Sequence, residues 1–220
     1  MSDTPTTTDP ILSATPEVLV RAAADGSLAV HWYDLTCPFC YLGQARTRFL
    51  QERGLKVAEL PFQAHPDIPA AGIHIGPRSG PMYAKIESDA AAIGLPLNWP
   101  PRLPNSRIAL AAAEWVRRNK IQSFERVQAR LFRAHFADGL DIGNLEVVLR
   151  CVVDILDDTE PLRNSLAGGE ALEWVNEGEH LGHQMGVAAT PSWLIAGKMI
   201  SGFVPENEFE RLIRLTEGMR

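Results

Sequence analysis

Cysteine is scarce in this sequence, with three residues in a chain of 220. That is too few for the dense disulfide frameworks that hold small secreted domains together, and a chain of this length can bury a sizeable core without them. Basic residues are not in excess either, because the net charge at pH 7 is −6. Since proteins that bind nucleic acid usually carry a basic face, we expect no nucleic-acid partner.

Long apolar runs are also missing. No stretch approaches the roughly 20 apolar residues that a membrane-spanning helix requires. The first ten residues, MSDTPTTTDP, have neither the basic nor the apolar region of a secretion signal. We therefore expect a cytoplasmic protein without a membrane partner. Residues 1–14 are rich in Thr, Ser and Pro, a composition that predicts disorder.

The front of the chain alternates between strand and helix patterns. Residues 27–34 are short and rich in β-branched and aromatic side chains, as is typical of a strand. From Tyr41 onward the apolar residues recur with helical spacing, and residues 55–62 are a second strand candidate. The cysteines of the sequence CPFC, Cys37 and Cys40, therefore fall at the first corner of a βαβ unit.

The middle of the chain, residues 80–185, has helical patterns almost throughout. Strand patterns return only at residues 192–195 and 198–201, which flank a hairpin turn signal, before a last helix. The two ends of the chain can share one sheet only if the helical block is an insertion. We therefore predict an α/β protein in which residues 15–79 and 186–220 form one domain, interrupted by an all-helical domain.

The spacing of Cys37 and Cys40 predicts thiol–disulfide chemistry. At the start of a helix, unpaired N–H groups and the helix dipole favour the thiolate of Cys37 over its thiol. The thiolate attacks a substrate disulfide, and Cys40, one turn away, can then attack the mixed disulfide. Cys37 is thus the predicted nucleophile and Cys40 the resolving thiol. No metal site is predicted, because zinc needs two further ligands and Cys151 is distant in sequence.

The complete pattern resembles the DsbA-like branch of the thioredoxin superfamily, and within it the FrnE-type cytoplasmic subgroup. The resemblance is carried by CPFCYLG near the start of the βαβ unit and by Thr190-Pro191 before the returning strands. It implies a thioredoxin-like domain with a large all-helical insertion. In that family the Thr-Pro bond is cis and its loop packs over the cysteines. The resemblance therefore implies that Pro38, Phe39, Thr190 and Pro191 line the substrate site.

The same resemblance implies exchange of disulfides with protein or small-molecule thiols, with no bound cofactor. Kappa-class glutathione transferases and 2-hydroxychromene-2-carboxylate isomerases share the inserted helical domain, so a glutathione-dependent isomerase or transferase is the alternative. Those enzymes typically place a serine at the position of Cys37, whereas this chain keeps both cysteines. Glutathione is considered as a reductant or co-substrate. A non-enzymatic module that binds unfolded chains is a third interpretation. The redox direction and the formation of a homodimer stay open.

Overall fold

A computed structural model describes residues 9–219 of the chain. The strands in this range are β1 (Ala29–Tyr33), β2 (Val57–Pro61), β3 (Ile73–His74), β4 (Arg102–Leu103), β5 (Ser192–Ile195) and β6 (Lys198–Ser201). The helices are α1 (Pro16–Ala24), α2 (Pro38–Glu52), α3 (Pro81–Ala92), α4 (Arg107–Asn119), α5 (Ile121–Phe136), α6 (Leu145–Leu156), α7 (Glu160–Gly168), α8 (Glu170–Gln184) and α9 (Glu206–Met219). None of these helices is long and apolar enough to cross a membrane.

One mixed sheet joins the two ends of the chain. Its strand order is β2-β1-β5-β6. Strand β1 is parallel to β2 and antiparallel to β5, and β5 and β6 form the hairpin. Because helices α3–α8 all lie between β2 and β5 in the sequence, the sheet closes only across the helical block. The predicted α/β fold with a large helical insertion is therefore confirmed.

The helical insertion shares its core with the end of the sheet that carries the cysteines. The largest group of buried apolar residues combines side chains of α4–α8 with four residues from the front of the chain, namely Tyr33, Leu35, Cys40 and Tyr41. The two faces of the sheet are covered separately. Side chains of α1 pack on one face, against Trp32 and Leu194, and side chains of α2 and α9 pack on the other, against Trp193.

The N-terminal segment differs from the sequence prediction. Residues 1–8 of the segment predicted to be disordered lie outside the described residues, but Pro10–Ser13 form a 3-10 turn. The cause is Arg117, which is 1% exposed and donates hydrogen bonds to the carbonyls of Leu12 at 2.6 Å and Ala14 at 2.9 Å. A buried guanidinium needs acceptors, and the segment supplies two of them.

Two further elements in the rest of the chain were not predicted from the sequence patterns. Helix α7 interrupts a region where no separate helix is predicted. The proline- and glycine-rich loop after β2 contains β3, which pairs with the distant β4. Each of these elements is stabilised by partners from elsewhere in the chain, which local patterns do not show.

Candidate functional site

Cys37 lies at the start of α2, as its spacing predicts. It has extended backbone angles, φ −82° and ψ 117°, and Pro38 opens the helix behind it. The carbonyl of Cys37 accepts hydrogen bonds from the amides of Cys40 and Tyr41, both at 3.1 Å. The side chain is partly exposed. The sulfur therefore stands at a helix N-terminus where a substrate can reach it.

Cys40 lies in the first turn of the same helix but is fully buried, with 0% of its surface exposed. The amide of Asp34 is 3.5 Å from its sulfur and donates to it. The two cysteines are close together, and neither is in a disulfide. The arrangement is that of a reduced pair with one accessible and one inaccessible sulfur.

The environment gives the two thiols opposite acidities. The pKa of Cys37 is lowered, chiefly because the Cys40 thiol donates a hydrogen bond to its sulfur. Burial and the negative charge of Asp34 oppose this lowering. The pKa of Cys40 is raised well above its ordinary value, first by burial and then by its position beside Cys37. Cys37 is therefore the thiol that ionises first.

Thr190 and Pro191 are brought against the cysteines by the β5 end of the sheet. The peptide bond between them is cis, and the Cys37 sulfur lies 3.3 Å from the Thr190 carbonyl oxygen, to which the thiol donates. Thr190 is 8% exposed and Pro191 is also buried, whereas Ala188 and Ala189 just before them are exposed. The open surface beside Cys37 thus continues along residues 188–189.

Phe39, between the two cysteines, connects the pair to the helical insertion. Its partly buried ring packs against a group formed by Leu42, Ile86 and Ala90. Partly buried residues from α3, the following loop and the β6–α9 connection pack on the same group, namely Tyr83, Leu95, Leu97, Trp99 and Phe203. Sequence patterns did not associate these residues with the cysteines, since they come from separate elements.

Asp34 is a site residue that the sequence analysis did not single out. It is fully buried, and its carboxylate accepts hydrogen bonds from the amide and hydroxyl of Thr36, both at 2.8 Å, and from the amide of Ala64 at 2.7 Å. Burial raises its pKa against these hydrogen bonds. Its carbonyl also accepts from the Cys37 amide at 3.1 Å. Asp34 thereby fixes the turn that leads into the cysteine pair, and an acidic residue directly after a strand pattern was the available signal.

Other candidate features lie apart from this site. Cys151 is buried in α6 among apolar side chains. Within residues 9–219, no group of three or more His, Cys, Asp or Glu side chains is arranged to hold a metal ion. A cavity of about 130 Å³ lies between β2 and α5 and is lined in part by Glu59, Arg117 and Phe124, but neither Cys37 nor Cys40 borders it. The candidate site is therefore the open surface beside Cys37, and not this cavity.

Comparison with known proteins agrees with this geometry. The model of the DSBA-like thioredoxin domain matches residues 30–214. No curated protein matches the sequence significantly. Among solved structures, a probable DsbA oxidoreductase from Streptomyces coelicolor has a TM-score of 0.75 at 22% identity, with 87% of this chain and 90% of that chain covered.

Two further solved structures have the same fold. A 2-hydroxychromene-2-carboxylate isomerase has a TM-score of 0.68 at 19% identity, covering 88% of this chain and 99% of that one. The cytosolic disulfide reductase DsbM from Pseudomonas aeruginosa, solved with GSH, has a TM-score of 0.58 at 17% identity, covering 87% and 95%. Since the family model spans most of the sequence, from β1 into α9, this chain belongs to the family of DSBA-like thioredoxin domains.

Proposed function

We propose that this chain is a thiol–disulfide oxidoreductase in which Cys37 is the nucleophile and Cys40 the resolving thiol. One observation carries the proposal. The accessible sulfur at the helix start has a lowered pKa, and the buried sulfur beside it has a raised one. Attack requires a thiolate that a substrate can reach, and release requires a second thiol within reach of the first. The pair meets both requirements.

The exchange proceeds in two substitutions at sulfur. The Cys37 thiolate attacks one sulfur of a substrate disulfide, the S–S bond breaks, and the departing thiolate takes up a proton. Cys40 then loses its proton and attacks the Cys37 sulfur of the mixed disulfide, which releases the second substrate thiolate. Two electrons pass to the substrate, and the chain is left with a Cys37–Cys40 disulfide. The reverse sequence oxidises a substrate dithiol.

The substrate-binding surface of this proposal consists of Pro38, Phe39, Thr190 and Pro191. The 3.3 Å separation between the Cys37 sulfur and the Thr190 carbonyl supports it, as does the solvent exposure of residues 188–189. An extended peptide that approaches Cys37 along these residues can form strand-like hydrogen bonds with them. Protein disulfides are therefore the first substrate class of the proposal.

Small-molecule thiols and disulfides form the second substrate class. The structure of the DsbM reductase contains GSH, which supports glutathione as a reductant or co-substrate here as well. That relative is described as cytosolic, and this supports the cytoplasmic location predicted from the sequence. The FrnE-like assignment within the family and the formation of a homodimer stay predictions.

An insulin reduction assay tests the proposed function. In the presence of dithiothreitol the chain should accelerate the turbidity that follows reduction of insulin. A Cys37→Ala variant should fall to the uncatalysed rate. A Cys40→Ala variant should also lose turnover and, when incubated with insulin without dithiothreitol, should form a mixed disulfide that is visible on a non-reducing gel. The matched control is Cys151→Ala, which removes a buried thiol far from the site and should keep the full rate.

Equal rates for the unchanged chain and for Cys37→Ala would overturn the proposal. In that case the alternative function, a glutathione-dependent isomerase or transferase, becomes the better explanation, because it does not require a resolving thiol. Catalysis that survives in Cys40→Ala but not in Cys37→Ala would likewise point to chemistry at a single sulfur. The two variants together therefore distinguish both functions.

A further inference from the structure

Arg78 is a partly buried arginine whose guanidinium has no acidic partner among residues 9–219. It lies in the loop before α3, where the central carbon of its guanidinium is 5.2 Å from the centre of the Trp99 ring and 5.7 Å from that of the Tyr83 ring. Its Nε is buried without a hydrogen-bond partner in the part of the chain that the structure describes. The nearby carboxylate of Glu87 accepts instead from the Trp99 indole, at 2.7 Å. The guanidinium therefore keeps its capacity to bind an anion.

Comparison with other arginines shows what is unusual about Arg78. The partly buried side chains of Arg46 and Arg107 each form an ion pair with a glutamate, at 2.6 and 2.7 Å. Arg48 and Arg126, by contrast, are exposed to solvent, where water satisfies an unpaired charge. Removing a guanidinium from water is costly unless an acceptor replaces the water. Arg78 is partly desolvated without such an acceptor.

The aromatic residues next to Arg78, Tyr83 and Trp99, pack on the same buried groups as the segment that contains the two cysteines. Tyr83 and Trp99 pack on the same buried group as Phe39, the residue between the two cysteines. Trp99 also packs against the core group that receives Cys37. Arg78 therefore lies over aromatic side chains that pack on the same buried group as Phe39 of the CPFC segment.

Arg78 also carries a fixed positive charge beside the aromatic residues Tyr83 and Trp99. The neighbouring His135 is 1% exposed, and burial lowers its pKa to about 4, with the charge of Arg78 acting in the same direction and the Leu140 carbonyl opposing both. His135 is therefore neutral at pH 7. The faces of the Trp99 and Tyr83 rings attract the guanidinium electrostatically. A guanidinium fork matches a carboxylate, with which it can form two parallel hydrogen bonds.

We propose that Arg78 binds a carboxylate of the substrate, so that acidic peptide thiols and their disulfides react with Cys37 faster than neutral ones. This inference rests on the proposed function. With a peptide disulfide, the Cys37 thiolate attacks one sulfur while Arg78 holds a carboxylate of the peptide, and the other peptide thiolate leaves and is protonated. Attack by Cys40 then releases the second peptide thiol. One disulfide is reduced to two thiols, and the Cys37–Cys40 dithiol is oxidised to a disulfide.

The test compares two disulfides with the fully reduced chain. Glutathione disulfide carries carboxylates, whereas bis(2-hydroxyethyl) disulfide is neutral, and the second-order rate of Cys37–Cys40 oxidation is followed for each. Arg78→Met should slow the reaction with glutathione disulfide about tenfold or more, the size of a lost charge-assisted hydrogen bond. The rate with the neutral disulfide should stay within about twofold, since no such bond forms there. Arg48→Met is the matched control and should change neither rate.

A second measurement needs no variant. Esterified glutathione disulfide lacks the carboxylate charges, so the unchanged chain should react with it about tenfold more slowly than with the free acid. Equal rates for ester and acid would overturn the inference, as would equal slowing of both disulfides by Arg78→Met, which indicates a structural role. If the unchanged chain oxidises with neither disulfide, the proposed function itself fails, and that outcome is distinct from the others.

Discussion

At the scale of single residues, position alone makes two identical side chains different. Cys37 and Cys40 are three residues apart, yet one is partly exposed at a helix start and the other is fully buried. The dipole and free amides of a helix N-terminus favour a charged sulfur, whereas burial favours a neutral one. The proposed order of attack, with Cys37 as the nucleophile and Cys40 as the resolving thiol, follows from that difference.

A pH profile of alkylation checks the acidity of Cys37. Because the pKa of Cys37 is lowered, we expect iodoacetamide to modify it with a midpoint below that of a free cysteine, while Cys40 stays unmodified in the folded chain. Mass spectrometry of peptides after alkylation at a series of pH values measures both. A midpoint at or above that of free cysteine would contradict the site geometry.

Replacing Asp34 by Asn should lower the pKa of Cys37 further. The negative charge of Asp34 disfavours the Cys37 thiolate, and Asn keeps an oxygen that can accept from Thr36. The same alkylation profile should therefore move to lower pH. Asp67→Asn removes an equal charge from an exposed loop position and should leave the profile in place. An unchanged or upward-shifted midpoint in the Asp34 variant would contradict this assignment.

At the scale of elements, the approach of α8 to the sheet depends on two glycines. The carbonyl of Gly178 accepts a hydrogen bond from the Trp32 indole at 3.2 Å. A methyl group at Gly182 would lie 2.9 Å from the Phe62 ring and 3.0 Å from the nitrogen of the Trp32 indole. The helix therefore packs closer to β1 and β2 than a larger residue allows, and this contact helps to hold the insertion against the sheet.

Gly182→Ala should destabilise the chain despite its higher helix propensity. Overpacking costs roughly 1–3 kcal/mol, which exceeds or offsets the gain of about 1 kcal/mol from replacing glycine in a helix, so we expect a net loss of about 1 kcal/mol. Gly168→Ala in α7 meets no atom within 4 Å and should be neutral or slightly stabilising. Urea unfolding compares the two. Equal stabilities of the variants would show that α8 moves to accommodate the methyl group.

At the scale of the whole molecule, one core connects the helical insertion to the sheet. Tyr33, Leu35, Cys40 and Tyr41 belong to the same buried group as side chains of α4–α8. Separating the two parts would expose this shared apolar surface to water, which is unfavourable in proportion to its area. The cysteine pair lies at this junction, so its burial depends on both parts of the fold.

We therefore expect the insertion and the sheet to unfold in one transition. Far-UV circular dichroism follows mainly the helices. Tryptophan fluorescence includes Trp32 and Trp193 in the sheet, so it also reports on the other part of the fold. The two urea curves should coincide for the reduced chain. Two separated midpoints would show instead that the helical block is stable on its own.

Local signals were enough to predict much of the fold. Short strand patterns located β1 and β2. Asn144, a residue type that favours helix N-caps, accepts hydrogen bonds from the amides of Glu146 at 2.9 Å and Val147 at 3.2 Å. Local signals failed where distant partners decide the conformation. The turn at residues 10–13 depends on Arg117, and β3 exists because β4 pairs with it.

The sequence by itself determined that two cysteines stand at the start of a helix, because a proline, the spacing of the pair and the helical period that follows are all local. Only the tertiary structure decided which sulfur is accessible, that Thr190 meets Cys37 across 153 positions, and that the charge of Asp34 acts on Cys37. Burial and long-range hydrogen bonds depend on residues that come into contact only when the sheet and the helical insertion pack together. A short stretch of sequence carries no information about such contacts.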